Sequence, residues 1–343
     1  CMICLDDVHL NASESLTIAL TCCGGFICKT CYREFMNSGV DLGQCPLCRA
    51  TQSSTEAEAA VQCMALAERG VSWAQSNVGR CMIPGRIGFK KQEEAGLKWV
   101  EKAAAQNDPS ALHYLSSLYR DGLTSVLDKS QEKANELMIK SANLGYASAN
   151  SLLAVFYFDG TDGFGEDREE AHRRASVAFA LDDTNCVAAR VLGFLHHYEY
   201  IQEPSPYLAC YYLNIAANKD DDNACYCYSS ALAKLSEHLN NNQEIHGFHT
   251  QPSAFFWLRK SRDLGHNHAR EMLEMCDFLG QSRCANCGKD AQTSAGENFK
   301  QCSKCRAQWY CSKECQVEAW RAGHKKDCKH AAILKFEDYL NAE

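Results

Sequence analysis

The sequence predicts a mostly α-helical chain, an α-α superhelical solenoid flanked by two small metal-braced modules. Three observations predict it. Fifteen cysteines and one histidine form two clusters of eight, one at each end. The segment between them repeats, for the most part, every 36 to 39 residues. None of the 343 residues falls in an apolar run of 18 or more, so no segment reads as a membrane span.

The N-terminal cluster reads Cys1-x2-Cys4, Cys22-Cys23, Cys28-x2-Cys31 and Cys45-x2-Cys48. The C-terminal one reads Cys284-x2-Cys287, Cys302-x2-Cys305, Cys311-x3-Cys315 and His324-x3-Cys328. Zinc takes four nitrogen or thiolate ligands in a closed tetrahedron, so eight ligands in a short segment mean two structural sites. Four zinc ions per chain are expected. The seven other cysteines (Cys63, Cys81, Cys186, Cys210, Cys225, Cys227 and Cys276) lie in helical stretches and read as small buried hydrophobes. Thiolate-rich zinc sites with spare free thiols suit a reducing compartment, so a cytoplasmic or nuclear location is expected. The chain starts at Cys1 and not at methionine, which reads as a clipped N-terminus that a targeting signal could have preceded.

The formal net charge is -8. A four-thiolate zinc site carries -2 and a three-thiolate, one-histidine site -1, so full loading brings the chain to about -15. Such a protein is a poor general binder of nucleic acid. The C-terminal cluster is locally different, with nine Lys or Arg against five Asp or Glu over residues 284–329. Most of that surplus offsets the charge of its own zinc centres.

The middle segment aligns on one alanine: Ala74, Ala111, Ala149, Ala188, Ala224 and Ala269, at spacings of 37, 38, 39, 36 and 45. Four residues before each stands Gly70, Asn107, Gly145, Thr184, Asp220 or Gly265, and four after it Val78, Leu115, Leu153, Leu192, Tyr228 or Leu273. Glycine recurs eleven after the anchor at Gly85, Gly122, Gly160 and Gly280, read as helix ends. This period with helical apolar spacing means one helix-turn-helix unit per repeat, stacked into a right-handed superhelix. The pattern resembles the Sel-like (SLR) repeats, relatives of the tetratricopeptide class, in about six copies over residues 57–280. It is weakest at Ala224. The resemblance implies an extended surface for a protein partner. Two insertions, residues 161–167 and 236–251, read as loops. Residues 51–56 read as a linker, where Ser53 and Glu56 fit a capping box.

Residues 1–50 resemble a RING finger. The resemblance implies interleaved sites, Cys1, Cys4, Cys28 and Cys31 in one, and Cys22, Cys23, Cys45 and Cys48 in the other. Histidine is usual where Cys23 stands. Either both adjacent cysteines bind, as in all-cysteine variants, or one alone does and the site is incomplete. Ile3, Pro46 and Arg49 match positions through which ligase-type RING fingers hold a ubiquitin-conjugating enzyme. The usual tryptophan before the seventh ligand is absent, with Leu42 the nearest apolar residue. Such a module forms no covalent intermediate and acts by proximity.

Residues 284–328 resemble a MYND finger, through Trp309-Tyr310-Cys311-Ser312-Lys313-Glu314-Cys315-Gln316 and then Trp320, His324 and Cys328. The resemblance implies one site of Cys284, Cys287, Cys311 and Cys315 and another of Cys302, Cys305, His324 and Cys328. It also implies docking of proline-containing peptides near Gln316 and Trp320. Residues 329–343 read as a helical tail.

His196, His197, His246 and His249 lack further ligands at metal spacing and read as surface or packed side chains. Cys225 and Cys227 point to different helix faces, which argues against a disulfide. No phosphate loop, nucleophile elbow or acid-base pair is present in the sequence. The functional expectation is a zinc-braced scaffold acting as a RING-type ubiquitin-protein ligase, with partners on the repeats and the MYND finger. The alternative is a non-catalytic zinc-finger adaptor.

Overall fold

The computed structural model describes residues 1, 3–4, 16–39, 43–123, 126–241, 250–291 and 299–341. The chain is mostly helical and divides into two compact units, Cys1–Ala188 and Ala189–Glu343.

The first unit opens with the antiparallel strands β1 (Thr17–Ala19) and β2 (Phe26–Cys28), in the register Thr17↔Cys28, Ile18↔Ile27 and Ala19↔Phe26. Helix α1 (Lys29–Asn37) follows, capped by the Cys28 side chain. Its core is Leu20, Ile27 and Cys45. So few buried side chains leave the ligand clusters to brace the module.

Helices α2 (Glu56–Glu68), α3 (Ser72–Met82), α4 (Glu93–Ala105), α5 (Pro109–Asp121), α6 (Gln131–Asn143), α7 (Ala147–Asp159) and α8 (Arg168–Leu181) complete this unit. Helix α9 (Cys186–His197) begins in the first unit and ends in the second, which also holds α10 (Pro206–Ala217), α11 (Asp222–Asn241), α12 (Gln251–Asp263) and α13 (Asn267–Ser282). All six anchor alanines have 0% exposure, and all six large residues four positions on are buried. A methyl at the anchor lets the paired helices close, and the next helical turn buries the large side chain beside it. Thus Cys63, Leu66 and Ala67 of α2 pack with Ala74, Val78 and Met82 of α3. The turn between paired helices takes a left-handed residue at Gly70, Asn107, Gly145, Asp220 and Gly265, and Thr184 is the exception.

Three expectations are corrected. Gly85, Gly122 and Gly160 have positive φ at or just past helix ends, but Gly280 lies inside α13. A Cβ there would sit 2.4 Å from the Trp309 ring, so its role is close packing and not helix termination. The cap of α2 is Thr55, whose hydroxyl accepts from the Glu58 amide at 3.2 Å, and not Ser53. Residues 236–241 extend α11 to 20 residues and so account for part of the 45-residue spacing. Residues 242–249, with His246 and His249, lie outside the described residues, as does Leu42. The 161–167 loop is pinned, with Phe164 on Phe156 and Tyr157 and the Asp162 carbonyl accepting from Gln131 and Asn135.

The C-terminal module contributes β3 (Lys300–Gln301), β4 (Trp309–Tyr310), α14 (Lys313–Ala319), a π-turn (Trp320–His324) and α15 (Lys325–His330). The tail is short helix α16 (Phe336–Leu340), and it is clamped. Buried Asn214 donates to the Leu334 carbonyl at 2.6 Å and accepts from the Phe336 amide at 3.0 Å. Phe336 then enters the core of α10, α11 and α12.

Candidate metal centres and their supports

Four clusters of donor atoms gather: Cys1, Cys4, Cys28 and Cys31; Cys22, Cys23, Cys45 and Cys48; Cys284, Cys287, Cys311 and Cys315; Cys302, Cys305, His324 and Cys328. Within each, the donor atoms lie within 4.8 Å of one another. All sixteen sequence-derived ligands fall in these clusters, grouped as interleaving implies.

The donor spacing tests the fit to zinc. With zinc-sulfur bonds of about 2.3 Å, tetrahedral geometry puts two sulfurs about 3.8 Å apart. The Sγ–Sγ separations are 3.8 Å for Cys4 and Cys28, 3.6 Å for Cys22 and Cys48, and 4.0 Å for Cys23 and Cys45. In the C-terminal module they are 3.7 Å for Cys287 and Cys311 and 3.5 Å for Cys311 and Cys315. Nε2 of His324 is 3.4 Å from Cys302 Sγ and 3.7 Å from Cys305 Sγ. A sulfur-nitrogen edge should be about 3.6 Å, so these bracket it. Adjacent Cys22 and Cys23 both enter one cluster, each beside a different thiol of the Cys45–Cys48 knuckle.

The backbone prepares the thiolates. Amides of Leu47 and Cys48 point at Cys45 Sγ (3.4 and 3.5 Å), and the Cys31 amide at Cys28 Sγ (3.4 Å). Burial opposes ionisation of Cys45, but the amides of Cys48 and Leu47, together with the Cys22 and Cys48 thiols, outweigh it and bring the thiol to about 7. Cys284 behaves alike: burial opposes, the amides of Cys287, Cys311 and Asn286 prevail, and the thiol falls to about 6. Cys22 and Cys305 go the other way, raised by burial and by neighbouring thiols. Burial also lowers His324, which keeps Nε2 available as a neutral donor. Each cluster fills a tetrahedron with protein donors and leaves no position for a reacting water, which makes the sites structural. Zinc there would brace the fold.

Both modules are docked on helices. In the first unit Trp73 Nε1 donates to the Gly24 carbonyl at 3.3 Å, and its ring meets Phe26 edge-on at 5.6 Å. Thr21 Oγ1 donates to Gln62 Oε1 at 2.6 Å. In the second, Phe255, Leu258 and Leu273 share one core with Phe299, Ala307, Trp309 and Tyr310. Arg259 donates to the carbonyls of Cys305 and Arg306, inside the zinc knuckle. None of these supports was read from the sequence. Trp73 stands beside an anchor alanine, but nothing local marks a partner 49 residues away.

Ile3 is 46% exposed, Arg49 is exposed and Pro46 half-buried. Arg49 holds a left-handed backbone, φ 63°, as its amide closes on the Cys45 carbonyl. Gln316 and Trp320 are half-buried, and Trp320 packs edge-on against His324 at 5.8 Å. His196 and His197 are buried and not on the surface: His196 stacks on Tyr212, and its Nδ1 accepts from the Ser205 amide. Cys225 donates to the Ala217 carbonyl while Cys227 meets the Tyr198 hydroxyl, so the two thiols face apart. Among the described residues no helix is long and apolar enough to cross a membrane.

Comparison with known proteins agrees with this architecture. Residues 284–328 match the MYND finger family. Residues 74–108, 109–146, 147–173, 187–221 and 251–266 match the Sel1 repeat. A Sel1 repeat protein from Oxalobacter formigenes has the same fold, with TM-score 0.51 and 22% identity over 66% of this chain and 84% of that one. A chitin synthase regulator of Saccharomyces cerevisiae is 33% identical over 92 residues, 26% of this chain and 13% of its own length. An F-box protein of Arabidopsis thaliana is 28% identical over 235 residues, 68% of this chain and 56% of its own length. The chain therefore spans 13% and 56% of these two relatives. It carries Sel1 repeats and a MYND finger, both protein-interaction modules, with cysteine clusters suited to zinc at both ends.

Proposed function

We propose that this scaffold is a RING-type ubiquitin-protein ligase, bridging a ubiquitin-conjugating enzyme to partners held by the repeats and the MYND finger. The observation that carries the reading is the N-terminal module itself. Two four-cysteine clusters at zinc spacing leave Ile3, Pro46 and Arg49 at the surface or half-buried on the knuckles that bind the metal. In this reading Ile3 and Pro46 seat the conjugating enzyme. Arg49 hydrogen-bonds between it and its ubiquitin and holds the thioester in a reactive arrangement. No residue of the chain is acylated. The MYND finger takes a proline-containing peptide near Gln316 and Trp320, and the protein works in the cytosol or nucleus.

Ubiquitin transfer by the zinc-loaded chain, with a panel of conjugating enzymes, tests this. Chain formation that Ile3→Ala and Arg49→Ala each reduce at least tenfold supports it. No transfer, or transfer indifferent to both substitutions, leaves the second reading, a non-catalytic adaptor. The absent tryptophan before Cys45 favours that second reading.

A further inference from the structure

A groove of about 380 Å³ opens in the second unit, between α11, α12 and α13. Its lining is largely apolar, with Phe255 and Leu258 from α12, Tyr226 and Ala233 from α11, and Met272 from α13. The apolar surface continues along α13 beyond the groove. Met272 and Cys276 are half-buried, and Met275, Leu279 and Phe278 are 49%, 56% and 74% exposed. Positions 272, 275, 276 and 279 fall on one helical stripe, and 278 adjoins 275 one turn on. The inward face of α13 is a different one, where Ala269 and Leu273 are buried. Large apolar side chains gathered in this way, and not scattered singly, mark a contact site.

The edges of this surface are acidic. Glu237 of α11 lines the groove, and Glu271 stands one turn before Met275 on α13. Burial first, then Cys227, Cys276 and Glu271, raise the Tyr226 hydroxyl, which sets the Glu271 charge beside that wall. Among the described residues Glu237, Glu271 and Glu274 have no ion-pair partner. Helix α13 carries Glu271, Glu274 and Asp277 against one arginine, Arg270. Unpaired carboxylates at the rim of an apolar groove complement cations carried beside apolar side chains. The net charge of -8 steers such a segment towards the chain.

We propose that this groove docks an amphipathic helix of a partner protein, with Lys or Arg flanking its apolar stripe. Large side chains of that stripe lie against Phe255, Leu258 and Met272 and continue over Met275 and Phe278. The cations meet Glu237 and Glu271. Two methionines suit such a surface, because their unbranched thioether chains adapt to apolar partners of different shape. The walls are helices and offer no strand edge to an extended peptide, whereas a helical one satisfies its own main chain. This rests on the reading that the repeats hold a partner, and it gives that partner a place and a chemistry. A nucleic acid does not fit, because the rim carboxylates repel phosphate.

The probe is a phage-displayed library of random peptides of about 16 residues, some four helical turns, panned on the zinc-loaded full chain. Captured peptides are expected to carry Leu, Ile, Met or Phe at helical spacing with Lys or Arg beside them. Glu271→Lys should weaken their binding at least about tenfold, and Ala233→Trp, which fills the groove without changing its charge, should do the same. Glu132→Lys on α6 is the control for general charge attraction and should leave binding unchanged. Ala233, Glu271 and Glu132 are all exposed, so the variants should keep their zinc content and circular dichroism. No basic enrichment, binding indifferent to Glu271→Lys or Ala233→Trp, or equal weakening by Glu132→Lys would overturn the proposal. So would a dimer in sedimentation that Ala233→Trp dissolves, which would assign the groove to a second copy. Ubiquitin transfer reads out separately. Capture without transfer leaves the docking site standing and removes the ligase reading, and transfer without capture does the reverse.

Discussion

The indole of Trp73 donates to the carbonyl of Gly24 at 3.3 Å, joining the first repeat to the turn that carries Cys22 and Cys23. One side chain thus does two jobs, filling the gap between α2 and α3 and orienting a zinc module with a small core of its own. Gln62 on α2 repeats the arrangement through Thr21, and Leu66 packs under Gly24. The N-terminal module is therefore fixed to the helices by residues of the repeat register, in addition to the chain that links them.

Trp73→Phe should separate the two jobs. It keeps an aromatic ring against Phe26 and removes the donor, leaving the Gly24 carbonyl without that partner. A loss of about 1 kcal/mol at this joint is expected. The readout is hydrogen exchange, which should rise in residues 17–31 and stay unchanged in α5 to α8.

Gly280→Ala should destabilise, against the usual trend. In a helix interior alanine is favoured over glycine by about 0.5–1 kcal/mol. Here the new methyl would meet the Trp309 ring, with three ring atoms between 2.4 and 2.8 Å. Ring and helix share one packed core with the zinc ligands, so the module must shift, at a cost of about 1–3 kcal/mol. A lowered thermal midpoint with a changed tryptophan emission is the expected result. A raised midpoint would mean the module yields freely.

The same glycine shows where the sequence is legible and where it is not. The anchor alanines and the residues four positions later were readable because helix period and burial are local and repeat six times. The zinc ligands were readable because ligand spacing is itself the chemistry. Gly280 repeats the glycine position of earlier copies, but its neighbour Trp309 comes from another module, and no periodicity encodes that. The shift of the α2 cap from Ser53 to Thr55 is a two-residue boundary effect, decided by where Ser54 and Glu58 can meet. Asn214 gave no signal at all, because its partners Leu334 and Phe336 lie about 120 residues away.

His197 should make stability fall on mild acidification. Burial first, then the Lys234 ammonium, holds it down to about 4, while Glu199 pulls weakly the other way. Its Nδ1 has no hydrogen-bond partner among the described residues. Folded His197 stays neutral where the unfolded side chain, near 6.5, takes a proton. Its contribution is thus present above pH 6.5 and is lost as pH falls from there towards 4, about 3 kcal/mol in all. Between pH 7 and 5.5 the share is about 1 kcal/mol. His197→Phe should remove that slope in denaturant unfolding with zinc present, and equal slopes in the two proteins would show that His197 is solvated.

The metal count decides between the two readings of Cys22 and Cys23. Both thiols stand in one cluster, Cys22 at 3.6 Å from Cys48 and Cys23 at 4.0 Å from Cys45, so each would supply one ligand. Elemental analysis of the purified chain should then give four zinc ions. Cys22→Ser and Cys23→Ser should each bring the count to three, because a hydroxyl is a poor replacement for thiolate and a three-ligand site binds far more weakly. Loss should stay confined to that site's neighbourhood, since the helices have their own buried cores. Far-ultraviolet circular dichroism should therefore change little while hydrogen exchange rises around Leu20 and Ile27. If Cys23→Ser keeps four ions and Cys22→Ser keeps three, Cys22 binds alone, and a water or another donor completes the tetrahedron.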